Sequence, residues 1–257
     1  ANVVCALRKL HVPAAFIGCL GDDDFGSEFL KLFRQLNINI DFLQITKESS
    51  TRIVKVIRDK SGDRSFSGFE NTKSNSFADE MLDKLLIMNN IKNLEKQFLK
   101  TKYIVTGTNL LASTKSAESL YFILDFAKKF RVKVIIDVNW REIFWDNSNI
   151  DKHAQVKKVK NFLNHADILK LASEEAYLFF DTNDPTTISK VLTKQPDVII
   201  TNGSNPINWI INGIKGSNQV IKHTSRIIDT TGAGDAFLAG LISRYYFDQD
   251  LGVNFKI

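Results

Sequence analysis

Proline is scarce in this chain, with four in 257 residues, whereas phenylalanine is abundant at 19. That balance argues against a disordered polypeptide, which would be poor in aromatics and rich in proline. Cysteine is scarcer still: Cys5 and Cys19 are the only two, so no disulfide framework is expected and a reducing cytoplasm is the default location. The four histidines, His11, His153, His165 and His223, lie far apart without ligand spacing, which excludes a zinc site built on them. No apolar run approaches a membrane span, and the start carries no signal-peptide core, so no membrane partner is expected. A G-x-x-x-x-G-K-[ST] phosphate loop is missing, and so are G-x-S-x-G and any Ser/His/Asp arrangement of hydrolase type.

What is present is ordinary for a globular protein: 44% hydrophobic and 25% charged residues. The length suits one large α/β domain, or a domain with a small appendage. The formal charge is +5, but the lysines are spread along the chain and no nucleic-acid motif accompanies them, so nucleic acid is not an expected partner. A positive surface around a phosphate-handling site accounts for the charge.

Hydrophobic periodicity gives the coarse order. Val3, Val4, Leu7 and Leu10 form a helical stripe, Ala14–Leu20 a buried strand, and Gly21–Gly26 a turn before a helix with Phe29, Leu32, Phe33 and Leu36 inward. Residues 50–58 and 65–69 read as strands around a turn. From Tyr103 strands alternate with helices: strands at 103–106, 132–138, 168–171 and 198–201, and helices around 120–130, 156–163, 176–180 and 188–192. This β-α-β order predicts a doubly wound, mostly parallel sheet with ligands at the carboxyl ends of its strands. Three carboxylates at Asp22–Asp24 lack calcium-loop spacing and read as a structural turn.

The most informative stretch is Asp229-Thr230-Thr231-Gly232-Ala233-Gly234-Asp235-Ala236-Phe237. Phe237, Leu238, Leu241, Ile242 and Tyr245 recur at helical spacing, so Gly232–Asp235 opens a helix. A helix start suits an anion, and the two glycines let a phosphate approach the backbone. Asp235 would repel that anion unless it takes a proton from an attacking hydroxyl. An aspartate in a first helical turn is common, but the nine-residue string as a whole favours the chemical reading.

This string resembles the signature of the PfkB/ribokinase-type sugar kinases, and the resemblance extends over nearly the whole chain. It implies an α/β, ribokinase-like doubly wound sheet flanked by helices, a single domain over 1–257 with a small β lid inserted at about 41–70. Gly232, Ala233 and Gly234 are then the anion hole, and Asp235 the catalytic base. The resemblance further implies ATP and Mg²⁺ as cofactors and a sugar as substrate. Asn2, Asp22, Gly107, Phe66 and Asp235 fall near that substrate, and relatives dimerise through the lid. Whether Phe66 and Phe69 face the sugar or pack within the lid stays open.

Three strand ends carry further candidates. Asp137-Val138-Asn139-Trp140-Arg141 followed by Phe144-Trp145 matches the D-x-N-x-R…W pattern of fructokinase-like members, with Asn139 and Arg141 as phosphate donors. After Lys170, Ser173 reads as an N-cap with Glu174 and Glu175 in the first turn. By resemblance Glu175, with Glu174 as the weaker candidate, acts on Mg²⁺ through water, and Lys170 stands where fructokinase-like relatives carry lysine. Thr201-Asn202-Gly203-Ser204-Asn205-Pro206 resembles a nucleotide-contacting T-x-G-x-x-G turn, with Thr201 and Gly203 as contacts, Thr231 assisting, and Pro206 in place of a glycine. Set against the family, the chain looks truncated at both ends. The implied activity is ATP-dependent phosphorylation of a monosaccharide, fructose first. A fructokinase-like interaction module and a nucleoside kinase of the same fold are the alternatives.

Overall fold

The computed structural model describes residues 1–58, 64–70, 76–145, 151–221 and 230–247, with only the backbone of Arg58 and 64–67. Residues 59–63 of the turn expected at 59–64, Asp229 and the Phe66 side chain lie outside the described residues, while Arg64 opens a strand instead. The chain groups into two compact units, one from residues 1–87 and 225–257 and one from 88–224.

In the first unit α1 (Asn2–Lys9), β1 (Ala15–Gly21), α2 (Asp24–Gln35) and β2 (Asn39–Thr46) follow one another. β1 and β2 are parallel, with Cys19 opposite Gln44. Val4, Phe33 and Ile38 are buried as one cluster, against which Phe16, Phe29 and Leu43 pack. Because β2 pairs with β1, residues 41–46 belong to this layer, and the separate hairpin begins only at β3 (Val54–Arg58), which pairs antiparallel with β4 (Arg64–Phe69). Asp23 caps α2: Oδ1 accepts from the Gly26 N–H at 2.8 Å and Oδ2 from the Thr51 N–H at 2.7 Å. Burial alone would raise the Asp23 carboxyl, but these N–H groups and the Thr51 hydroxyl outweigh it and hold the pKa below its ordinary value. Gly26 has no room for a side chain, since a Cβ would stand 2.1 Å from the Gly21 carbonyl oxygen.

A buried arginine anchors the foot of the hairpin. Arg52 pairs with Asp79 at 3.1 Å and with Glu80, and its guanidinium lies 4.0 Å from the Phe77 ring centre and 4.8 Å from that of Phe69. Phe69 therefore packs at the hairpin's foot. α3 (Lys84–Met88) ends this stretch of chain.

The second unit opens with α4 (Ile91–Phe98) and continues β5 (Tyr103–Thr106), α5 (Thr114–Phe130), β6 (Lys133–Asp137), α6 (Lys152–Leu163), β7 (Ile168–Ala172), α7 (Ser173–Phe180), α8 (Pro185–Val191), β8 (Asp197–Asn202), β9 (Asn205–Ile211) and β10 (Ile214–Asn218). The sheet runs β10-β9-β8-β7-β6-β5, parallel from β5 to β8 and antiparallel for the last two strands. Ile135, Ile136, Leu169, Leu171 and Val198 are buried in consecutive runs, the pattern of strands covered on both faces. Each crossover from β5 to β8 contains a helix, as parallel pairing demands.

The hairpin of β8 and β9 corrects the reading of 201–206 as one loop. Only Gly203 and Ser204 turn; Gly203 has φ +55 at the first turn position, as a type II′ hairpin turn needs. Pro206 lies inside β9, at an irregularity in the β8–β9 register and beyond the β10 pairing, which begins at Ile207. Its missing N–H costs no ladder bond there. Val220 and Ile221 follow β10 without strand pairing. The Trp209 ring covers β10 so closely that a Cβ on Gly216 would stand 2.1 Å from it.

Candidate active site

In the first unit the signature string builds the start of α9 (Ala233–Phe247). Gly232 has φ +80, a conformation that disfavours any side chain, although the space beside it is open. The Ala233 N–H donates to the Thr230 carbonyl at 3.1 Å and that of Ala236 to Gly232 at 2.8 Å, which fastens the turn to the helix. Leu238, Ala239, Leu241 and Ile242 bury the inner side of α9, which packs against α1. That packing brings Asn2 to Asp235: the amide Nδ2 donates to Oδ2 at 2.9 Å. Asp235 is half-buried and Thr231 exposed, so one face of this helix start is open to solvent. Asp22 is exposed, and its N–H donates to the Thr46 carbonyl; it is the neighbouring Asp23 whose carboxylate ties this turn together.

In the second unit the carboxyl ends of β5 to β8 carry Gly107, Asp137–Arg141, Lys170–Glu175 and Thr201–Gly203. Lys170 Nζ meets Asp137 Oδ1 at 3.0 Å, with the two side chains only 8% and 10% exposed. The Val138 N–H donates to the Lys170 carbonyl, and the Thr108 hydroxyl donates to the Val138 carbonyl at 2.7 Å. Gly107 sits close under β6; a Cβ there would be 3.1 Å from the Asp137 carbonyl oxygen. Asn139 takes φ +41, and Arg141 Nη1 donates to the Trp140 carbonyl at 2.8 Å. The Thr201 hydroxyl donates toward the Leu171 carbonyl at 3.5 Å.

Glu175 is as enclosed as Asp137, each being 7% exposed. Its Oε1 accepts the Trp140 N–H at 2.6 Å and its Oε2 the Ala172 N–H at 2.7 Å. Burial, the largest effect, pushes its pKa up against the pull of those two N–H groups. Glu174 is exposed in the same turn. The N-cap of α7 is Ala172, not Ser173: the serine is already helical, buried, and accepts from Asn183 Nδ2 at 2.7 Å. Trp140 packs against Trp145 at 5.1 Å and edge-on against Phe179 at 5.6 Å between ring centres.

The sequence reading missed Asp23, Arg52 and the clasp of Glu175 on Trp140. D-x-N-x-R…W and the glutamates of α7 were each visible as motifs, but 35 residues separate Glu175 from Trp140 and no local pattern joins them. Among the described residues, no cluster of three or more His, Cys, Asp or Glu is arranged to hold a metal ion. Nor, among those residues, is any helix long and apolar enough to cross a membrane.

Comparison with known proteins places this architecture. Probable fructokinase-5 of Arabidopsis thaliana is 28% identical over 246 residues, covering 94% of this chain and 71% of that protein. The structure of fructokinase from Xylella fastidiosa with bound ATP matches at a TM-score of 0.77 and 22% identity, over 95% of this chain and 71% of that one. Fructokinase from Vibrio cholerae O395, in its fructose, ADP and calcium ion bound form, matches at 0.77 and 24% identity, over 97% and 75%. These likenesses show the fold: α/β and ribokinase-like, with a mostly parallel sheet flanked by helices. The sequence pattern of the pfkB family carbohydrate kinases matches residues 1–251, and the chain belongs to that family.

Proposed function

We propose that this chain transfers the γ-phosphoryl group of ATP to a hydroxyl of a monosaccharide, with fructose as the acceptor. The observation that carries the reading is Asp235, half-buried in the first turn of α9 behind a left-handed glycine, with one oxygen oriented by Asn2. A carboxylate so placed can take a proton from a hydroxyl. The alkoxide oxygen then bonds to the γ-phosphorus as the bond to the β-phosphate oxygen breaks, and ADP leaves. The backbone N–H groups of Gly232 and Gly234 and the helix dipole favour the charge that develops on the phosphoryl oxygens, while the Ala233 N–H holds the turn through the Thr230 carbonyl.

Asn2, Asp22, Gly107 and Phe66 are assigned to the sugar, and Thr201, Gly203, Thr231, Asn139, Arg141 and Lys170 to the nucleotide. The ligands of two relatives support a nucleotide and a sugar as what is bound: one structure holds ATP, another fructose and ADP. Mg²⁺ fits as an ion carried in on the nucleotide's phosphates, because the described residues offer no protein cage for it. When bound it offsets phosphate charge, and Glu174 is the exposed carboxylate near which its waters would lie. The β3–β4 hairpin serves as a lid that keeps water from competing with the sugar. Val56 and Ile57, 42% and 58% exposed on it, suit a second copy of the chain. The cytoplasm, where ATP is supplied, is the assigned location.

The test is ADP release from ATP and Mg²⁺ over a sugar panel led by fructose, beside the Asp235→Asn variant. Fructose-dependent turnover that disappears in the variant is the expected result. A folded protein inert toward every sugar would instead indicate an interaction module.

A further inference from the structure

We infer that Glu175 is a positioning residue, which holds the 138–141 segment by the Trp140 N–H and so places Asn139 and Arg141 for the nucleotide phosphates. This rests on the kinase reading above, and it changes what Glu175 does there. Both carboxylate oxygens are engaged by backbone donors at 2.6 and 2.7 Å, one from the segment after β6 and one from the end of β7. The residue is 7% exposed, so its remaining lone pairs face protein rather than solvent. A metal-bound water would have to enter that space and compete with two fixed dipoles.

The segment needs such a grip. It leaves β6 through Asn139 at φ +41, a region that a residue with a Cβ seldom adopts unless its surroundings impose it. Four contacts impose it here. The Asp137–Lys170 pair and the Val138 N–H to Lys170 carbonyl bond fix the segment's start. Glu175 fixes its middle at Trp140. Phe179, one turn further along α7, meets the Trp140 ring edge-on. α7 thus holds Trp140 at both its backbone and its side chain, on either side of which lie Asn139 and Arg141.

Glutamine at 175 can accept only one of the two N–H bonds, because its amide nitrogen is a donor. Glu175→Gln is expected to raise KM for ATP roughly 10-fold, the worth of one charge-assisted hydrogen bond, and to leave KM for fructose within about 2-fold. The Mg²⁺ concentration for half-activation stays within about 2-fold of wild type. Combined with Arg141→Ala, the two losses do not multiply, since both act through the same contact. A rise of about 10-fold or more in the Mg²⁺ requirement with KM for ATP unchanged overturns the inference.

Amide hydrogen exchange tests the grip without turnover. In the wild-type protein Trp140 and Ala172 are expected to exchange at least ~100-fold more slowly than open-loop amides, with one of the two losing that protection in Glu175→Gln. Open-loop exchange at Trp140 in the wild type overturns the inference even if the variant does not fold. Should the wild type prove inactive on all sugars yet keep this protection, the kinase reading fails and the grip stands; weaker ATP binding by the variant in calorimetry then decides the positioning role.

Discussion

Asp235 and Glu175 each occupy the third position of a helix, α9 and α7, and the protein holds them in opposite ways. Glu175 is buried, with a backbone N–H on each oxygen. Asp235 is half-buried and takes one hydrogen bond from an exposed side-chain amide. A carboxylate tied to the main chain on both sides cannot turn toward a ligand without breaking the fold around it. One steadied by a side chain keeps a direction yet leaves an oxygen accessible, which a general base requires. The difference suits the two proposed roles, one group that shapes its surroundings and one that reacts.

The largest effect that tests this contrast is loss of turnover in Asp235→Asn. The rate should fall about 10³-fold or more while the melting temperature stays near wild type. Parallel kinetics and thermal unfolding would check it, and a large drop in stability would make Asp235 a structural residue like its counterpart. Next is the buried pair at the β6 and β7 ends. Lys170→Met strands the Asp137 carboxylate in the interior and should cost about 3 kcal/mol in urea unfolding. Removing the exposed Lys129–Glu95 pair should cost at most ~1 kcal/mol in the same assay.

A third comparison uses pH. The Asp23 pKa lies below its ordinary value, so its contribution is complete above about pH 4 and is lost as pH falls through the folded value. Glu175 has the reverse sign: its pKa is raised, so ionising it opposes folding as pH climbs past the ordinary glutamate value, and that opposition vanishes in acid. Asp23→Ala should therefore cost about 1 kcal/mol in urea unfolding at pH 7, with the penalty shrinking toward pH 3. A cost that grows in acid would reverse the assignment. Smallest is Asn2→Ala, expected to slow turnover severalfold and to change stability by no more than about 0.5 kcal/mol, because the bond it removes is exposed.

Strands β5 to β8 were legible because each is a run of branched and aliphatic residues closed by a polar strand end, and the start of α9 because its string is long. The β8–β9 hairpin was not, since Gly203 and Pro206 both read as breakers while only the glycine turns the chain. Proline's position in the register, not its presence, decided the outcome, and register is not visible in a local window. Asp22 and Asp23 could not be told apart by composition. Their roles separate only once Thr51, 28 residues on, donates to Asp23. Arg52 gave no signal either, because the acids and rings around it converge from 69, 77, 79 and 80.

Among the described residues, the short strand β10 forms one border of its sheet. An uncovered edge presents unpaired N–H and carbonyl groups on which another chain can crystallise into a shared sheet. Here that edge is five residues long, bears Lys215 and contains Gly216, with the ring of Trp209 seated over the glycine and its indole N–H bound to Asn218 at 2.6 Å. Lys215 is itself drawn to Asp184 at 2.6 Å. A neighbour adding to the sheet here would meet a cation and a strand too short to template it, so this border is a poor place for a shared sheet to start.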